Sequence, residues 1–82
     1  MRFTVTWHPA AADELAALWL ESSDRTPLTD AANTIDSVLA EEPATKGEEF
    51  YGDRLLVVAP LAVTFTVRAE DQVVEILQVW QG

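Results

Sequence analysis

The stretch from Arg54 to Trp80 constrains the fold more than any other. It reads Arg54-Leu-Leu-Val-Val-Ala-Pro60-Leu-Ala-Val-Thr-Phe-Thr-Val67, then Arg-Ala-Glu-Asp-Gln72, then Val-Val-Glu-Ile-Leu-Gln-Val-Trp80. Three runs rich in Val, Ile, Leu, Phe and Thr, divided by one proline-marked corner and one polar corner, predict three consecutive antiparallel strands. In the first run Leu55, Val57 and Ala59 alternate with Leu56 and Val58, so neither face is polar. In the second, Leu61, Val63, Phe65 and Val67 alternate with Ala62, Thr64 and Thr66, and the odd positions give the clearer apolar face. A sheet this apolar is not stable alone in water and needs a second layer on its buried face.

The N-terminal half has to supply that layer. Arg2 to Trp7 alternates Phe3, Val5 and Trp7 with Arg2, Thr4 and Thr6, the pattern of a half-buried strand. His8-Pro9 opens a helix, since proline at the first helical position gives up only an N–H that would lack a partner there. From Pro9 to about Ser22, the residues Ala11, Ala12, Leu15, Leu18 and Trp19 recur at three- and four-residue spacings, with Asp13, Glu14 and Glu21 elsewhere on the wheel. Ser22-Ser23-Asp24-Arg25 is a turn, and Thr26-Pro27 repeats the cap-plus-proline start. A second helix is predicted to about Glu41. Its stripe is Leu28, Ala31, Ala32, Ile35, Val38 and Leu39, and the two alanines let the helices approach closely. Glu41-Glu42-Pro43 ends it, with two carboxylates set against the negative end of the helix dipole. Pro43 to Asp53 has no periodicity. Gly47 and Gly52 mark it as a loop, which Phe50 and Tyr51 tack onto the core. The expected class is α+β in the order β-α-α-β-β-β: an N-terminal strand, an antiparallel helix hairpin over one sheet face and a C-terminal three-stranded antiparallel meander, in a single domain spanning 1–82.

Size and charge limit the partners. An 82-residue domain buries only roughly 60% of its unfolded surface, so a stabilising partner is expected. With 14 acidic and 5 basic side chains the net charge is −9, a field that repels phosphate backbones and disfavours direct nucleic-acid binding. The absence of Cys excludes a disulfide framework and a thiolate metal site. No segment approaches the roughly 18 apolar residues of a membrane span. The expectation is a soluble cytoplasmic protein without membrane contact, metal or cofactor.

Several features together resemble the plasmid-stabilisation toxins of the RelE/ParE superfamily. They are the opening strand ending in Trp7-His8-Pro9, the Ala-rich helix from Ala10 to Leu20 and a second helix ending near Pro43. Gly47, Arg54-Leu55 and the run Pro60-Leu-Ala-Val-Thr-Phe-Thr-Val67…Val74-Glu-Ile-Leu-Gln-Val-Trp80 complete the set. The resemblance covers nearly the whole chain. It implies a two-layer α+β toxin fold, a cognate antitoxin as protein partner, and either ribosome-bound mRNA or DNA gyrase as target; a homodimer is admitted beside these. It also implies positions that this chain does not match. Ribosome-dependent members carry a basic side chain in the middle strand, where Ala62 stands, and further basic or aromatic groups after the last strand, where Gln78-Val-Trp80-Gln81-Gly82 stands. Of the usual basic positions only Arg54 remains.

The individual side chains add little catalytic chemistry. RNA cleavage needs groups that move protons and cations that stabilise charge developing at the phosphate. Arg54 is the one candidate for phosphate contact, although Glu48, Glu49 and Asp53 nearby favour a local ion pair. His8 reads as a helix-opening residue rather than a general base, and Ser22, Ser23 and Ser37 lack a nucleophile context. Glu41, Glu42, Glu48, Glu49 and Asp53 fit no calcium-loop pattern and read as a solvated acidic loop. Trp7 and Trp19 fall in apolar stripes and read as core, which leaves Trp80, near the end of the last strand, as the aromatic kept as a contact. Arg54, Trp80 and Gln81 are therefore the expected partner-binding residues. The resulting expectation is a toxin-like component of a type II toxin-antitoxin system that acts by binding a protein; the alternative is an interaction module that keeps the toxin fold without toxic activity.

Overall fold

The computed structural model describes residues 2–81. Strand β1 (Thr4–Trp7) is followed by helices α1 (Pro9–Glu21) and α2 (Thr26–Leu39), a 3-10 turn at Pro43–Thr45, and strands β2 (Glu48–Phe50), β3 (Asp53–Val58), β4 (Leu61–Arg68) and β5 (Val73–Gln81). The expected α+β order holds with one addition, since β2 lies inside the stretch read as loop. The sheet runs β1-β5-β4-β3-β2. Strands β2 to β5 pair antiparallel, while β1 lies parallel to β5 with Val5 opposite Val74. That pairing leaves β1 and β2 at the edges.

Local chemistry starts and stops the helices. The His8 Nδ1 accepts the Ala10 N–H at 3.1 Å and Pro9 follows as the first helical residue, so His8 opens α1 as its sequence suggested. At α2 the expected Thr26 cap is not made. Thr26 is already helical, and its N–H donates to Asp24 Oδ1 at 3.2 Å. Helix α2 stops at Leu39, before Glu41, where the following residues pair with the segment just before β1: the Phe3 N–H donates to the Ala40 carbonyl at 2.7 Å, and Arg2 pairs with Glu41 as an isolated antiparallel bridge. Glu42 then takes a left-handed conformation (φ 47°) ahead of Pro43.

The core lies between the helices and one sheet face. Ala11, Leu28, Ala31, Ile35 and Leu39 meet Leu61, Val63, Phe65, Val74, Ile76 and Val79, with Leu15 and Leu18 half-buried against them. Helix α1 lies along β5, and α2 lies over β3 and β4. The helices do not pack closely through Ala31 and Ala32 as expected. Ala31 is spent on the core and Ala32 lines a cleft of about 450 Å³ between the two helices. The sheet spreads the helices because each follows a different strand pair. A register shift between Thr64 and Phe65 sets the other detail that matters: Thr64 faces Gln78 while Phe65 faces Ile76, leaving Leu77 as an extra residue on β5. Ile76 and Val79, three residues apart, therefore both reach the core, and Trp80 turns outward.

Candidate functional site

Both helices cover one face of the sheet, so the opposite face is the broad open surface. Paired residues share a face, and the register gives its rows directly. Val57, Ala62 and Trp80 form one row, and Leu55, Thr64 and Gln78 the next, ending at Glu48 on the β2 edge. Thr66, Glu75 and Thr6 form a third. Val57 is 62% exposed and Trp80 37%. Between such neighbours the small side chains Ala62 and Thr64 are shielded, and Thr64 Oγ1 donates to Gln78 Oε1 at 3.5 Å. Two cations lie within the strands, Arg54 and Arg68, and only Arg68 is on this face. Arg68 is paired with Glu75 at 3.0 Å. The middle of the face is therefore apolar and hydroxylic, with no free cation for a phosphate and no general base.

Arg54 does not join that surface. It faces Phe65 across the ladder, on the helix side of the sheet. Its Nε donates to the Lys46 carbonyl at 2.8 Å and its Nη2 to the Gly47 carbonyl at 3.1 Å. The expected ion pair with Glu48, Glu49 or Asp53 is absent among the described residues. Two fixed carbonyls of the adjoining loop satisfy the guanidinium and hold that loop to β3. Gln81 lies opposite Leu61, also off the open face. The three expected partner-binding residues are thus not brought together, and only Trp80 stands on the open surface. Gly82 lies outside the described residues.

The aromatic assignments change as well. Trp19 is not core: it is 40% exposed, and the Arg25 guanidinium lies 4.0 Å from its ring centre. Trp7 packs against the core, yet its Nε1 donates to Asp36 Oδ1 at 2.9 Å, so the indole spans from sheet to helix α2. Both rings line the interhelical cleft with Ala12, Leu15, Ala16 and Leu28. The five charged residues of the two helices, Asp13, Glu14, Glu21, Asp30 and Asp36, are all acidic. Phe50 and Tyr51 are not tacked onto the core either. They stack edge to face at 4.8 Å at the tip of the β2–β3 hairpin, and Tyr51 is 94% exposed. Among the described residues no three carboxylate or imidazole groups converge to hold a metal, and no helix is long and apolar enough to cross a membrane.

The sequence matches no family model and no curated protein, whereas the fold has close counterparts. A chain of the toxin-antitoxin complex RelBE2 from Mycobacterium tuberculosis superposes with a TM-score of 0.79 at 19% identity, over 100% of this chain and 93% of that chain. A mutant of the E. coli toxin RelE in the free state gives 0.71 at 17% identity, over 99% and 84%. A chain of the chromosomal ParDE system from P. aeruginosa gives 0.67 at 20% identity, over 98% and 96%. This is the RelE/ParE toxin fold. Identity this low speaks for the fold alone, so residue roles rest on the surfaces described above. Within the RelE/ParE fold this chain presents Ala62 in the centre of its open sheet face, flanked by Val57 and Trp80.

The surfaces that sequence reasoning missed are Leu55, Val57, Thr64 and Gln78 on the sheet, and Trp19 with Asp36 on the helices. A signal existed for Thr64 alone of the first set. The even positions of β4, Ala62, Thr64 and Thr66, are small or hydroxylic, as an uncovered face requires. No such signal placed Val57 or Trp80, because β3 is apolar on both faces and the extra residue in β5 is invisible to a period-two reading.

Proposed function

We propose that this chain is the toxin-side member of a type II toxin-antitoxin pair and that it acts by binding proteins. The observation that carries this reading is the open sheet face, where Leu55, Val57, Ala62, Thr64, Gln78 and Trp80 stand together and the one cation, Arg68, is engaged by Glu75. Phosphoryl chemistry depends on charge stabilisation at the phosphate, and this face offers an apolar contact surface in its place. The cognate antitoxin docks on the helix layer. There the cleft lined by Trp7, Leu15, Trp19 and Leu28 accepts an amphipathic segment, and the acidic helix surfaces favour basic residues around its apolar anchors. A protein target, with DNA gyrase the one that the resemblance suggests, is the counterpart of the toxic activity. If the chain has lost that activity, the same cleft leaves it an antitoxin-binding module, a reading that the neutral sheet face also supports.

The test has two parts. A small reading frame beside this gene is expected to encode the antitoxin; co-expression with its product should give a stable complex, and the purified chain should leave mRNA intact in a translating extract. Codon-specific cleavage that disappears in Arg54→Ala would overturn the protein-binding reading. Growth arrest on expression, relieved by the adjacent gene product, separates an active toxin from a binding module.

A further inference from the structure

We infer that Asp36 sets the specificity of the interhelical cleft by receiving one arginine or lysine side chain of the docked segment at the Trp7 end. The inference rests on the reading of that cleft as a peptide-docking site and adds which partner side chain it selects, and where. The two walls differ in kind. Ala12, Leu15, Ala16 and Trp19 recur every three or four residues along α1 and make an apolar wall, whereas Thr29, Asn33 and Asp36 recur in the same way along α2 and make a polar one. Asp36 is the only charged side chain among the described residues that line the cleft. Its Oδ1 accepts the Trp7 indole N–H at 2.9 Å, which holds the carboxylate beside the ring, and its Oδ2 has no hydrogen-bond partner among the described residues.

The charges around the cleft choose the occupant. Asp36 lies in the last turn of α2, where the helix dipole is negative and where α2 has no basic residue of its own. A cation from a partner therefore meets the carboxylate and the dipole together. The opposite end of the cleft disfavours a cation, since the Arg25 guanidinium already lies 4.0 Å from the Trp19 ring centre and its Nε donates to the Trp19 carbonyl at 3.0 Å. Arginine and lysine suit the Asp36 end for a second reason: their apolar stems lie along an indole such as Trp7 while the charged head reaches the free carboxylate oxygen. From Thr29 to Asp36 the polar wall runs about 10 Å at roughly 1.5 Å of rise per residue, two turns of a docked helix. The selected segment thus carries one basic residue at one end of a two-turn apolar stripe that faces α1.

Selection of helical peptides from a randomised phage-displayed library on the full chain tests the inference. Ala16→Arg, which places a long side chain in the cleft from an exposed helix position, identifies the peptides that occupy the cleft, because their binding is lost. Those peptides should carry arginine or lysine at one fixed position beside an apolar stripe. For a synthetic copy of one of them, Asp36→Asn should raise Kd about tenfold, although asparagine keeps an acceptor for the Trp7 indole. Asp30→Asn, the same charge change on α2 outside the cleft, should leave Kd within about twofold. The copy with its basic residue replaced by glutamate should prefer Asp36→Lys to the wild-type chain. Circular dichroism is expected to stay native throughout. Cleft peptides without a basic residue, or with equal affinity for the wild-type chain and Asp36→Asn, would overturn the inference while the docking reading stands. A library that yields no peptide sensitive to Ala16→Arg would overturn the docking reading and the inference with it.

Discussion

Phe65 is the residue on which the two layers depend most. It sits in the central strand with no exposed surface, between Arg54 on β3 and Ile76 on β5. Truncating a buried aromatic removes its transfer free energy and leaves a cavity, so Phe65→Ala should cost about 3–5 kcal/mol. A domain's whole stability is about 5–15 kcal/mol, and the loss should appear as a large drop in the urea midpoint. An unchanged midpoint would mean that the core is not where the structure puts it. Arg54 illustrates the opposite case, a charged residue whose role is decided by geometry. Acidic neighbours in sequence pointed to an ion pair, but two backbone carbonyls in fixed positions satisfy the guanidinium instead, and a surface ion pair would contribute little.

At the scale of elements, the β2–β3 hairpin shows what a short edge strand requires. Phe50 pairs with Asp53, and both residues between them have positive φ, 48° at Tyr51 and 88° at Gly52, as a tight two-residue turn demands. Gly47 just before β2 also has positive φ, 66°, but its surroundings differ. A Cβ at Gly52 would meet open space, whereas one at Gly47 would run into the Leu55 carbonyl across the ladder. Gly52→Ala should therefore cost only the backbone term, about 1–2 kcal/mol. Gly47→Ala should cost clearly more, since β2 and β3 must also separate. Equal losses in chemical denaturation would show that the close approach at Gly47 does not hold. The bulge in β5 belongs to the same scale. It lets one strand send Ile76 and Val79 inward and still present Trp80 outside.

For the whole molecule the governing quantity is the distribution of the −9 charge. Carboxylates crowd the helix layer and the β2–β3 hairpin, while the centre of the open sheet face carries none. A partner that docks on the helices should thus be steered by attraction. Its association rate is expected to fall as salt rises from low to physiological levels, with a much smaller change in dissociation, when binding of the adjacent gene product is followed by stopped flow. A rate that is flat or rises with salt, or a docking segment that is itself strongly acidic, would contradict this.

Much of the architecture was legible in the sequence. Alternation in Leu61–Val67 and the three- and four-residue spacing of Leu28, Ala31, Ile35 and Leu39 named the core that the structure contains, because periodicity follows directly from strand and helix geometry. His8-Pro9 marked the start of α1 for an equally local reason. What depended on the relation between elements was not legible. The spread of the helices, the carbonyls that hold Arg54, the exposure of Trp19 and the outward turn of Trp80 each depend on something outside the element concerned: a different strand under each helix, a loop folded back on β3, a register shift between β4 and β5 at Thr64–Phe65. Local pattern decides which side chains must leave water. Only the tertiary structure decides which of the remaining ones share a surface, because that depends on register and on which strand lies beside which.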